Sequence, residues 1–361
     1  MADTEDYLTV YRRFFEAFAE TVEPNDQLPV TVGGYYLCDS EIVGEIVDWT
    51  QQYLNLKRCP SSLVAPLTRI VVDEIKYACK KQPTACGYNS SDNTYQPLKL
   101  MQVVTGKVNE VCLRYRDNGK LATLPQPSPG PPISSCAIKN ARRRMEDRHV
   151  IIEDFHTVFN IQDWSPTSYY AVFDGHAGTD AAVYSVSHLH QFLAESSFYP
   201  TDPERALKDA FSKTDKLFLE KSDRENLKSG TTAVCALLRP KEQMLYVAWL
   251  GDSQALLVRN GQAVRVVNPH KPDRQDERER IEDMGGCVLF WGTWRVNGQL
   301  AVSRAIGDLG YKPYVTSEPD VTTVSLDGTE DFLVLACDGL WDFVTEEEAV
   351  MAVYEQISEA P

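Results

Sequence analysis

Over residues 1–116 the apolar positions recur at helical intervals. Tyr7, Tyr11, Phe14, Phe15, Phe18 and Val22 fall at i, i+4, i+7, i+8, i+11 and i+15, which places them on one face of a helix. A second helix is predicted from Ser40, an N-cap residue type, through Ile42, Ile46, Trp49 and Tyr53; a third spans about Leu63 to Cys79 and a fourth about Leu98 to Tyr115. Together they predict a small helical domain. The aromatic stripe of the first helix could serve docking, but aromatic side chains at this spacing read as core.

Residues 117–132, DNGKLATLPQPSPGPP, hold five prolines without periodicity and predict an extended linker at a domain boundary. From Ile133 to the last residue, 361, the pattern changes to short β-rich runs: TTAVCALL (231–238), MLYVAWL (244–250), QALLVRNGQAVRVV (254–267) and DFLVLAC (331–337). Asn260-Gly261 between apolar runs signals a hairpin. Asp202 with Pro203 opens one helix, and residues 273–286 form another that ends at Gly285 or Gly286. Strands joined by hairpins, with helices grouped between them, predict an α+β fold with antiparallel sheets.

Length supports two domains, since 361 residues exceed what one hydrophobic core usually organises. No apolar run approaches the roughly 20 residues of a membrane helix, and the N-terminus lacks a signal-like pattern, so a soluble cytoplasmic protein with access to the nucleus is expected. The nine cysteines are scattered without C-x-x-C spacing and read as reduced thiols. A net charge of −16 disfavours nucleic acid and anionic membranes and leaves proteins and cations as partners.

The candidate chemistry lies at strand ends. AVFDGH (171–176), AWLGDS (248–253) and LACDGLWD (335–342) each place an Asp beside a Gly after an apolar run. A strand end fixes a carboxylate at the sheet rim, and glycine permits close approach of backbone or ligand; both suit an oxygen-seeking divalent cation. NARRRMEDRHV (140–150) adds a crowded charge cluster, which alone would read as solvated surface.

Six ordered motifs, RRRMED (142–147), VFDGHAG (172–178), SGTTA (229–233), LGDSQ (250–254), LAVSRAIGD (300–308) and ACDGLWD (336–342), resemble the type 2C (PPM) metal-dependent serine/threonine protein phosphatases over about Ile133 to Pro361. The resemblance implies a β-sandwich of two antiparallel sheets flanked by helices. It further implies hydrolysis of phosphoserine and phosphothreonine on proteins by a water bridging two Mg²⁺ or Mn²⁺ ions. By position, Asp174 corresponds to the bridging carboxylate, Gly175 (through its carbonyl) and Glu146 to ligands of one metal, Asp338 to a ligand of the other, and Asp252 to a ligand of a weaker third. Arg142 corresponds to the phosphate-gripping arginine and His176 to the general acid; Thr232 matches a position near the reacting water.

Within the family the helical N-terminus, RQDERERIE and FWGTWRVNGQLAVSRAIGD resemble the subgroup of calmodulin-dependent-kinase phosphatases, PIX-partner phosphatases and the nematode sex-determination phosphatase. That implies protein kinases as substrates and partner recruitment by the helical domain. Two features pull the other way. Cys136 and Arg142 have the spacing of a cysteine-phosphatase signature, although AIKNA (137–141) lacks the glycines that let a loop wrap phosphate. The family's Asp-Asn pair, whose Asp is a further ligand of the first metal, does not follow Asp338, so the domain reads as shortened at its C-terminal end and a phosphatase-like binding protein is the alternative.

Overall fold

The computed structural model describes residues 6–22, 30–128 and 130–359. The chain divides into two compact units, one drawn from residues 1–136 and 152–162, the other from 137–151 and 163–361.

The first unit is built on four helices, Tyr7–Thr21, Ile42–Leu56, Ser61–Lys81 and Pro97–Asn118. The aromatic stripe is core: Tyr11, Phe14, Phe15 and Phe18 are buried, and Phe15 stacks on Tyr115 with ring centroids 5.6 Å apart. Ser40 is not the cap of the second helix. Glu41 takes that place, and its carboxylate accepts from the Cys38 backbone N–H at 2.7 Å. The Pro-rich segment is only partly extended. Residues 117 and 118 finish the fourth helix, Lys120–Thr123 form a 3₁₀ turn, Leu121 and Leu124 are buried, and Pro125 O accepts from the Tyr11 hydroxyl. Residues 152–162, which lie beyond that segment in sequence, belong to this unit; their short helix Phe155–Phe159 packs on Ser61–Lys81, where Arg69 donates to Val158 O.

The second unit is a β-sandwich. One sheet has five strands in the order Asp320–Ser325, Met244–Leu250, Ala233–Arg239, Ser168–Phe173, Arg148–Ile152. The other has three, Gln262–Arg265, Gln254–Arg259 and Glu330–Ala336, all antiparallel. Alternation along the strands gives each sheet an inner face: Val234, Ala236, Leu245, Val247 and Trp249 of the first meet Ala255 and Leu257 of the second, joined by Val266 and Val267 just beyond its edge strand. Helices Asp180–Glu195 and Pro203–Glu225 cover the outer face of the larger sheet. On the smaller sheet's outer side, Leu256 and Val258 pack with Val350 and Tyr354 of helix Glu346–Glu359.

Local signals set the turns. Arg259 and Gln262 pair across Asn260-Gly261, both with positive φ (47° and 74°), the turn whose twist matches a two-residue hairpin. Among the described residues no helix is long and apolar enough to cross a membrane.

Candidate active site

The sandwich brings to one rim three strand ends that each carry an Asp beside a Gly. Asp174 follows strand Ser168–Phe173, Asp252 follows Met244–Leu250, and Asp338 opens a short helix just after Glu330–Ala336. The Asp174 and Asp338 carboxylates and the Cys337 thiol each offer a ligand atom within 4.8 Å of the others. Burial, then the charges of Asp338, Asp147 and Asp252, push the Asp174 carboxyl up to about 9.

Gly175 and His176 leave Asp174 as a two-residue strand paired with Gly230–Thr231. The Asp174 carbonyl accepts from the Thr232 N–H at 2.9 Å. Gly175 lies hard against the Glu146 peptide, where an added Cβ would sit 2.6 Å from Glu146 O. Glu146 is half-buried and shares with Arg142, Arg143 and Arg144 the lining of an open groove of about 690 Å³. The arginine and the carboxylate predicted from RRRMED therefore face one space.

Asp252 is buried and does not stand alone: the Lys271 ammonium lies 2.7 Å from its carboxylate. Burial pulls the Lys271 ammonium down, but Asp252, Asp342 and Asp338 outweigh it and hold the group above its ordinary value. Thr232 is turned to a structural task, sharing a 2.7 Å hydrogen bond with Ser253 in the buried floor. His176 Nε2 lies 2.7 Å from the buried Asp308 carboxylate.

Four further groups at this site are not singled out by the sequence patterns. Asp147, beside Glu146, adds negative charge at Asp174 and accepts from the Cys337 thiol at 3.4 Å. Cys337 itself is pushed up to about 12, by burial and then by Asp147 and Asp174, so it is a neutral thiol donor. Lys271 carries no motif signal of its own. Asp308 ends LAVSRAIGD in a Gly-Asp pair like that of LGDSQ, which was the available clue.

The donor set fits a hard divalent cation. It is dominated by carboxylate oxygens, and burial together with the crowding of Asp338, Asp147 and Asp252 raises Asp174, a strain that a bound cation would relieve. The cysteine-phosphatase arrangement does not form. That chemistry needs a loop delivering N–H groups at a helix start, whereas residues 137–147 adopt no helix and run into strand Arg148–Ile152, and Cys136 is exposed.

A family model described as "Protein phosphatase 2C" matches residues 132–361, and the chain belongs to the protein phosphatase 2C family. It is 46% identical to "Protein phosphatase 1E" of Mus musculus over 88% of this chain and 42% of that protein. It is 40% identical to "Protein phosphatase 1F" of Homo sapiens over 94% of this chain and 77% of that one. The chain thus spans less than half the length of the 1E proteins it matches. A solved structure described as "Structure of a C.elegans sex determining protein" shares the fold with a TM-score of 0.78, at 23% identity, over 97% of this chain and 87% of that one.

Proposed function

We propose that the chain hydrolyses phosphoserine and phosphothreonine monoesters on proteins, using two divalent cations, Mg²⁺ or Mn²⁺. Asp174 would help to hold both, the Gly175 carbonyl and Glu146 would serve one, Asp338 the other, and Asp252 a weaker third. When bound there, such cations supply a water nucleophile near neutral pH and neutralise phosphoryl charge. The observation that carries this reading is the convergence of Asp174 and Asp338, with Asp147 and Asp252, on one rim of a family-typical sandwich.

The remaining steps fall to the chain's own side chains. Arg142 offers a planar guanidinium fork to the phosphate oxygens from the groove it shares with Glu146. His176, two residues beyond Asp174, delivers a proton to the departing serine or threonine oxygen, which is a poor leaving group as an alkoxide. Family membership and the relatives' names support a protein phosphatase.

Protein kinases are the proposed substrates, with the helical unit recruiting protein partners, in the cytoplasm and nucleus. Phosphate release from a phosphothreonine peptide with Mn²⁺ tests the reading: EDTA should abolish it and Cys136→Ser should leave it within about twofold of wild type. Activity that survives EDTA but not Cys136→Ser would place the chemistry on the thiol. Folded protein with no turnover under any metal condition would favour a phosphatase-like binding protein.

A further inference from the structure

Asp308 is a buried carboxylate aimed at the proposed acid, and the ligand set does not use it. Its side chain is 1% exposed against 26% for His176, and Oδ2 lies 2.7 Å from His176 Nε2. The contact is built into the backbone. Strands Ile306–Gly307, Gly230–Thr231 and Gly175–His176 form a small antiparallel sheet in which Gly307 and His176 both pair with Gly230. Asp308 therefore emerges one residue past Gly307, and its carboxylate crosses Gly230. A Cβ on Gly230 would sit 2.2 Å from Asp308 Oδ2, so the glycine provides the passage.

The position is held from several sides. Asp308 has φ 54°, a left-handed conformation that is uncommon for a non-glycine residue and persists where its surroundings enforce it. Its N–H donates to Ser229 O at 3.2 Å. The preceding Gly307 N–H donates to Asp215 Oδ1 at 2.8 Å, and the same carboxylate accepts from Lys312 Nζ at 3.0 Å. Helix Pro203–Glu225, which carries Asp215, thereby anchors the segment that presents Asp308.

We propose that Asp308 is a positioning residue for proton delivery: its carboxylate accepts from His176 Nε2–H, fixes the ring, and leaves Nδ1 as the nitrogen presented to the leaving oxygen. This rests on the hydrolytic reading above, in which His176 is the acid. An ionised carboxylate only accepts, so in this arrangement Nε2 keeps the proton of the hydrogen bond, and the imidazolium's second proton, on Nδ1, passes to the leaving oxygen and leaves the ring neutral.

The test exploits the leaving group. p-Nitrophenolate departs without protonation, whereas threonine does not. In the Mn²⁺-loaded chain, Asp308→Asn should lower kcat on a phosphothreonine peptide by roughly 10- to 100-fold, part of what a positioned acid supplies. KM should stay within about twofold, and p-nitrophenyl phosphate turnover within about threefold of wild type. Combined with His176→Ala, Asp308→Asn should slow peptide hydrolysis no further, because one acts through the other. Equal losses on both substrates, no loss on either, or additivity with His176→Ala would overturn the proposal.

A readout without turnover separates this from the reading beneath it. Proton NMR of the wild-type chain should show a slowly exchanging, downfield imidazole N–H that His176→Ala removes. Its absence from the folded wild type would overturn the Asp308 contact even if Asp308→Asn failed to fold. Its presence in a chain that hydrolyses neither substrate would leave the contact standing and defeat the phosphatase reading instead.

Discussion

The Lys271 ammonium lies 2.7 Å from the buried Asp252 carboxylate and is a cation that the protein itself supplies to the acidic rim. A tethered cation at that carboxylate competes with a metal ion for the same oxygen. Lys271 is 41% exposed on its side chain, so the attraction is screened and is worth only about 1 kcal/mol. Lys271→Met should therefore tighten Mn²⁺ binding by about three- to tenfold, measured by electron paramagnetic resonance titration of free Mn²⁺. Unchanged or weaker binding would show that Asp252 takes no part in holding cations.

Gly175 makes a second, purely steric prediction. A methyl group there would sit 2.6 Å from Glu146 O and 3.2 Å from Ala182 Cβ, so Gly175→Ala must displace the Glu146 peptide. Both residues belong to the proposed ligand set of one metal. Divalent-cation affinity should fall roughly 10- to 100-fold, the range for disturbed support around a metal site, while far-UV circular dichroism stays that of the wild type. Wild-type affinity in isothermal titration calorimetry would remove Gly175 and Glu146 from that set.

Away from the rim, Glu277 sets an acid limit to stability. Burial pushes its carboxyl up, but hydrogen bonds from Arg304 and Arg280 outweigh this and hold it at about 2, against an ordinary 4.5. The folded state thus binds this proton more weakly than the unfolded chain. The stabilisation is complete above about pH 4.5 and is lost as pH falls toward 2, with a ceiling of about 3 kcal/mol from the linkage relation. Glu277→Gln should lower Tm at pH 7 and flatten its fall between pH 4.5 and 2. Parallel Tm profiles for the two proteins would show that the buried network contributes nothing through this carboxylate.

Local codes made much of the fold legible. The aromatic stripe became core because helical spacing puts those rings on one face. Asn260-Gly261 became the hairpin, and at the start of helix Glu346–Glu359 Thr345 and Glu348 cap each other, Thr345 N–H to Glu348 Oε2 at 2.9 Å and Glu348 N–H to Thr345 Oγ1 at 3.2 Å. What escaped was non-local. Residues 152–162 look like the start of the sandwich in sequence, yet their short helix finds its partner about 90 positions earlier, at Arg69. Leu121 and Leu124 are buried anchors inside a proline-rich segment that has no periodicity to mark them.

The site shows the same division. Asp174, Asp252 and Asp338 were visible because each strand ends in an Asp beside a Gly, a local pattern. Asp308 and Lys271 gained their places only through pairing across the fold, with His176 132 positions away and Asp252 19 positions away. Their residue types are ordinary in loops, so spacing alone could not single them out.

The proposed mechanism makes Asp174 the carboxylate common to both cations of a metal-dependent phosphomonoesterase. The direct measurement is phosphate release from a phosphothreonine peptide across a Mn²⁺ titration, comparing wild type with Asp174→Asn. Wild type should turn over only with added Mn²⁺, and Asp174→Asn should lose at least about 10³-fold at every concentration while keeping its fold, since it removes the charge common to both cations. Wild-type rates from Asp174→Asn would remove Asp174 from the reaction, and wild-type turnover that ignores Mn²⁺ would exclude a metal-dependent mechanism.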